Sequence, residues 1–129
     1  MDRDSDSFTE EQYTIVLKGC QENNFNLYLS NPNFELWLSF HFLQGKLSSQ
    51  QEINFLSQNE EVAKELQFYL VKNGLSRAGK FNKKILFSHY ADKIRNAVFI
   101  AKMHETNIYK LKDKLGTNVY SLLENIINS

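Results

Sequence analysis

Apolar positions fall mostly at helical spacing along this chain of 129 residues. Tyr13, Val16, Leu17 and Cys20 form one stripe. Ahead of them, Ser7-Phe8-Thr9-Glu10 and Thr9-Glu10-Glu11-Gln12 are overlapping capping boxes, so the pattern predicts a helix over about 9–22. Asn23-Asn24 breaks it, and Phe25-Asn26-Leu27-Tyr28-Leu29 alternates with period two, predicting a short strand. No other segment offers that strand an evident partner, which leaves it as an exposed edge. After Pro32 the spacing is helical again: Phe34, Trp37, Leu38, His41 and Phe42 share a stripe that Leu36, Phe40 and Leu43 widen to most of the circumference. A helix apolar nearly all round is a buried one. Either Asn33 caps it, or Asn31 does so with Pro32 in the first helical position, and Gly45 is expected to end it. Ser48-Ser49 caps a helix reaching about Phe55, and Asn59 caps another through Lys72, with Val62, Leu66, Tyr69 and Leu70 inward and Gly74 as its stop. A basic loop spans about 77–84, and a long helix about 84–104, where Phe87, Ala91, Ile94, Val98 and Ala101 are spaced by 4, 3, 4 and 3 residues. The tail reads as a lysine-rich helical turn over about 108–115, Gly116 as a stop, and a helix from Asn118 with Val119, Leu122, Leu123 and Ile126 inward. The chain is thus expected to be mainly α with one or two short strands, in one domain over 1–129.

Composition removes several function classes. Fifteen basic and fifteen acidic side chains give zero net charge, so bulk attraction to nucleic acid or anionic lipid is excluded and any such contact must be local. One cysteine rules out an intramolecular disulfide, and Cys20 lies on the apolar stripe as a small packed hydrophobe. The chain has no long apolar run, and its first residues are acidic, so no membrane span or signal peptide is read and a cytoplasmic location is the default.

Chemistry-bearing residues are few. Asp2, Asp4 and Asp6 alternate, and in extended backbone residues i and i+2 point to one side, so Asp2 and Asp4 are candidate ligands of one hard cation, magnesium or manganese. The competing reading of residues 1–7 is a disordered acidic tail. Glu35, in the first turn of the aromatic helix, also complements the helix dipole. His41 sits on the apolar stripe, where a buried, hydrogen-bonded histidine competes with an acid–base role. Arg77, Lys80, Lys83 and Lys84, with Phe81 among them, suit phosphate contact or plain solvated surface. His89 and His104 show no partner pattern.

Three blocks in order, "DRDSDSF" from Asp2, "LSNPNFELWLSFHF" from Leu29 and "TNVYSLLENI" from Thr117, resemble the RloB family, with "IRNAVFIAK" as a weaker match. Members of that family are small prokaryotic proteins encoded with restriction-modification and abortive-infection loci, often beside an AAA-type ATPase. The resemblance covers essentially the whole chain. It implies a Toprim-like α/β domain in which a D-x-D motif at a strand's carboxyl end, with a glutamate on an earlier strand, holds a divalent metal. Carried over, Asp2 and Asp4 become metal ligands, Glu35 a further acidic group near the metal, and His41 a positioning or core residue. The glutamate block expected upstream is not in this sequence, so the chain is expected to match the C-terminal portion of such a domain with an incomplete site, whether as a piece of a longer protein, as a truncated paralogue without catalysis, or with the partner strands supplied by another chain. Two functions follow as expectations. One is metal-dependent phosphodiester cleavage in phage defence, with Glu35 and His41 catalytic and Arg77, Lys80 and Lys83 touching nucleic acid. The other is a non-catalytic helical module that binds or regulates a defence ATPase.

Overall fold

The computed structural model describes residues 1–4, 8–74, 76–77, 80–81 and 83–127, without the side chains of 76–77, 80–81, 83–89, 92 and 125–127. The helices are α1 (Glu10–Glu22), α2 (Phe34–Phe40), α3 (Ser49–Ser57), α4 (Glu60–Lys72), α5 (Lys83–Lys102) and α6 (Val119–Ile127). Four two-residue strands accompany them: β1 (Ser30–Asn31), β2 (Ser76–Arg77), β3 (Lys80–Phe81) and β4 (Gly116–Thr117). The mainly helical expectation holds. α1 and α3 begin in full capping boxes, Thr9 with Gln12 and Ser48 with Gln51, because each hydroxyl accepts an otherwise orphaned N–H while the glutamine reaches back.

α2 is the hub. It packs against α4, α5 and β1, and its Leu36, Trp37 and Phe40 meet Val62 of α4 and Ala97, Ile100 and Ala101 of α5 in the main core. Tyr13, Leu29 and Leu111 close a smaller core under α1.

The β structure differs from expectation in position and in partners. Pairing falls on Ser30–Asn31 rather than on 25–29. Just before it, the side chain of Asn118 takes the place of a neighbouring strand: its Oδ1 accepts from Leu29 N–H at 2.7 Å and its Nδ2 donates to Leu27 C=O at 2.8 Å. Asn118 is therefore spent on this contact, and Thr117 Oγ1 accepts from Val119 N–H at the start of α6. Nor is β1 an open edge. Thr117 and Gly116 pair with it antiparallel, while residues 1–4 run parallel along its other side. Gly116, expected as a helix stop, is a strand residue that also bridges Glu105, so closely that a Cβ would lie 1.9 Å from the Glu105 carbonyl oxygen. Glycine is required there by space. α2 ends at Phe40, short of Gly45, because Asn96 of α5 donates its Nδ2 to the carbonyls of Phe40, His41 and Leu43. No doubly wound parallel sheet is formed among the described residues. The α/β character implied by the family resemblance is local, confined to the parallel run of residues 1–4 beside 30–32.

Candidate functional site

Parallel pairing brings the acidic residues to α2. Ser30 N–H donates to Met1 C=O at 3.0 Å, Arg3 N–H to Ser30 C=O at 2.8 Å, and Asp4 N–H to Pro32 C=O at 3.0 Å. Both segments therefore end together, beside a cis Asn31–Pro32 peptide, at the N-terminus of α2. Arg3 locks the register from behind. It is 4% exposed, donates to the carbonyls of Lys112 and Phe8, and lies 4.9 Å from the Tyr13 ring centroid. Residues 1–4 are accordingly held against β1 by backbone hydrogen bonds, while residues 5–7, Asp6 among them, lie outside the described residues.

Asp2 caps α2 from a distance. Its Oδ1 accepts from Phe34 N–H at 2.8 Å, so it supplies the cap that the Asn33 side chain does not. Asp4, in a left-handed conformation at φ 30°, accepts at Oδ1 from Asn59 Nδ2 at 2.8 Å. Asn59, expected to cap α4, makes no such bond; its carbonyl receives Asn33 Nδ2 at 3.2 Å. The opposite atom of the Asn33 amide, Oδ1, is buried and accepts no hydrogen bond from the described residues. Asp2, Asp4, Asn33 and Asn59 thus form one polar cluster over the start of α2, and each carboxylate keeps a second oxygen unengaged among the described residues.

Glu35 stands in the first turn of α2, half-buried, with no hydrogen bond or ion pair among the described residues. It does not join the aspartates in a chelating group: among the described residues no three of His, Cys, Asp and Glu are close enough to hold a metal ion together. Two carboxylates and an orphaned amide oxygen have the right donor chemistry for magnesium or manganese, with less charge than a tight site needs.

His41 is at the other end of α2 and 3% exposed. Its Nδ1 contacts the carbonyls of Trp37 at 3.1 Å and Leu38 at 3.2 Å, which makes Nδ1 the protonated nitrogen of a neutral ring. The rings of Trp37 and Tyr90 meet it edge-on at 5.0 and 4.7 Å. Burial, with Lys93 adding to it, outweighs the two carbonyl contacts and pushes the imidazole down to about 4, so it is uncharged at neutral pH. α2 has seven residues, so at 1.5 Å per residue His41 lies about 10 Å along the axis from the acidic cluster. The helix separates Asp2 and Asp4 from His41. Arg77, Lys80 and Lys83 fall outside the described side chains.

Sequence reasoning passed over Arg3, Asn96 and His104. The last is buried, stacks on Phe40 at 5.0 Å, places Nδ1 3.0 Å from Ile100 C=O and accepts Leu47 N–H at Nε2. The place of His104 behind Ala97, Ile100 and Ala101 at helical spacing was an available signal; Asn96 lies on the side of the helix opposite the stripe of Phe87, Ala91, Ile94, Val98 and Ala101, and Arg3 had none beyond its place between two aspartates.

A family model described as RloB-like protein matches residues 1–126. No curated protein and no solved structure matches the chain.

Proposed function

We propose, from the premise that this chain belongs to the RloB-like protein family, that it serves phage defence through metal-assisted phosphodiester cleavage of nucleic acid, centred on Asp2 and Asp4. One observation carries this reading: two parallel extended segments end side by side at a helix N-terminus, the position where open α/β folds bind their ligands. Asp2 and Asp4 would hold magnesium or manganese through their free oxygens, with Asn33 Oδ1 as a neutral third donor. Such an ion, when bound, supplies Lewis-acid polarisation of a phosphoryl oxygen. The N-terminus of α2 adds a positive partial charge facing the phosphate, and Glu35 in its first turn is the candidate for orienting water. Arg77, Lys80 and Lys83 are the proposed nucleic-acid contacts, and an AAA-type ATPase is the proposed partner.

The test uses Asp2→Asn and Asp4→Asn, whose amide oxygens can still accept from Phe34 N–H and Asn59, so the fold is kept while charge is removed. Cleavage of DNA or RNA with manganese present is expected to vanish with chelator and to fall in both variants. Cleavage indifferent to chelator and to both substitutions overturns the assignment. A second reading, the non-catalytic module beside an ATPase, draws support from the hydrogen bonds already made by both aspartates and from the lack, among the described residues, of a third acid grouped with them. Absence of cleavage, together with a melting temperature unmoved by millimolar manganese, favours it.

A further inference from the structure

A cleft of about 860 Å³ opens at the C-terminal end of α2, lined by His41, Phe42, Gln44, Tyr69, Lys72 and Lys93 among others. Nothing in the reading of Asp2 and Asp4 uses it. Its volume lies in the range of small-molecule sites, and its lining combines three kinds of group. First, two lysines bring positive charge, from the last turn of α4 and from α5, and among the described residues neither makes an ion pair. Lys93 Nζ stands 5.7 Å from the Phe42 ring centroid. Second, Phe42 and Tyr69 form a stacked pair, centroids 5.9 Å apart and planes 11° apart, half-buried at the wall. Third, His41 is 97% buried by its 3% exposure, spends Nδ1 on the helix carbonyls, and has no partner at Nε2 among the described residues.

The helix ends that would repel an anion are masked. Asn96 covers the carbonyls of Phe40, His41 and Leu43, and Asn73 Nδ2 donates to Tyr69 C=O at 2.7 Å. A neutral imidazole whose free nitrogen can only accept asks for a donor; the dianion of a phosphate monoester has none, whereas a ribose hydroxyl or a base amino group provides one. Aromatic faces beside cations are the means by which proteins hold bases and their phosphates without reading sequence.

We infer that this cleft binds a nucleoside phosphate, with Lys72 and Lys93 on the phosphate, Phe42 and Tyr69 against the base, and His41 Nε2 accepting from a sugar or base donor. The same chemistry arises from a free nucleotide or from one unit of a single strand. Binding needs no divalent metal, which keeps this site separable from the acidic cluster.

The whole chain, in chelator, is titrated with AMP, inorganic phosphate and a five-nucleotide single strand, following the emission of Trp37 and the ring resonances of His41 and His104. Saturable binding of AMP with movement of the His41 resonances, and little response to inorganic phosphate, is expected. Lys72→Glu and Lys93→Glu should each weaken binding roughly tenfold, the scale of a charge-assisted contact. Lys64→Glu, also on α4 but paired with Glu61 and not part of the cleft lining, should leave it unchanged. A strand binding more tightly than AMP identifies nucleic acid as the source, and equal affinity identifies the free nucleotide. Equal responses to AMP and phosphate, equal weakening by all three substitutions, or a His41 signal that stays put overturns the proposal. Melting curves of the variants exclude unfolding as the cause.

Discussion

Gly116 illustrates how far a single residue's meaning depends on what approaches it. In sequence it is a helix stop; in the fold, Thr117 N–H donates to Glu105 C=O at 3.1 Å, and the Glu105 backbone fills the space a side chain would need. Gly116→Ala must push two backbones apart, and its expected cost is at least about 2 kcal/mol, as for overpacking elsewhere. Gly45→Ala is the matched comparison, since a Cβ there meets nothing within 4 Å. Urea unfolding of the two variants measures the difference, and equal midpoints would refute the close approach. Asp2 was legible as a candidate ligand because its carboxylate is chemically conspicuous. That it caps α2 was not, since Phe34 lies 32 residues away.

Among elements, α2 concentrates both the successes and the failures of sequence reading. Its burial followed from apolar residues around most of its circumference, and Leu36, Trp37 and Phe40 are indeed enclosed. Its length did not follow, because the apolar pattern continues through Phe42 and Leu43 after the helix has ended. The stop comes from Asn96, 53 to 56 residues away, whose one NH2 group serves three carbonyls at 2.8 to 3.4 Å. Asn96→Ala leaves those carbonyls to find other partners beside the cleft. A loss of about 1–2 kcal/mol is expected, the usual cost of stranding a buried polar group. Denaturant titration gives the value, and a loss below about 0.5 kcal/mol, typical of a neutral surface change, would show that solvent already satisfies those carbonyls. Asn118 shows the same displacement: read as the start of the last helix, it hydrogen-bonds the backbone at Leu27 and Leu29.

At the scale of the whole molecule, two neutral histidines tie stability to pH. Burial is the main cause in both: it lowers His104 as well, against its Ile100 contact and nearby Glu52. Each binds a proton more readily unfolded than folded, so stability is full above the ordinary histidine range and is lost as pH falls. For His41 the loss runs from about 6.5 down to about 4 and totals about 3 kcal/mol. His104 acts in the same direction. Stability from urea melts should therefore decline between pH 7 and pH 4.5, and less steeply in His41→Gln; a flat profile would place both rings in contact with water. No helix among the described residues is long and apolar enough to cross a membrane, in line with the balanced composition. The sequence by itself determined where most of the helices form, because capping and apolar periodicity act within a few residues, but which faces turn inward only in part: Ala91 and Leu122, expected inward, are exposed, while Ala97 and Ile100 of α5 are fully buried. Tertiary structure alone decided that residues 1–4 lie parallel to 30–32, that Arg3 reaches Lys112 across 109 residues, and that one end of α2 meets aspartates while the other meets a basic, aromatic cleft. Those choices are made by backbone groups left unpaired at element ends. They can be satisfied by any nearby donor or acceptor, so no local pattern records which one folding supplies.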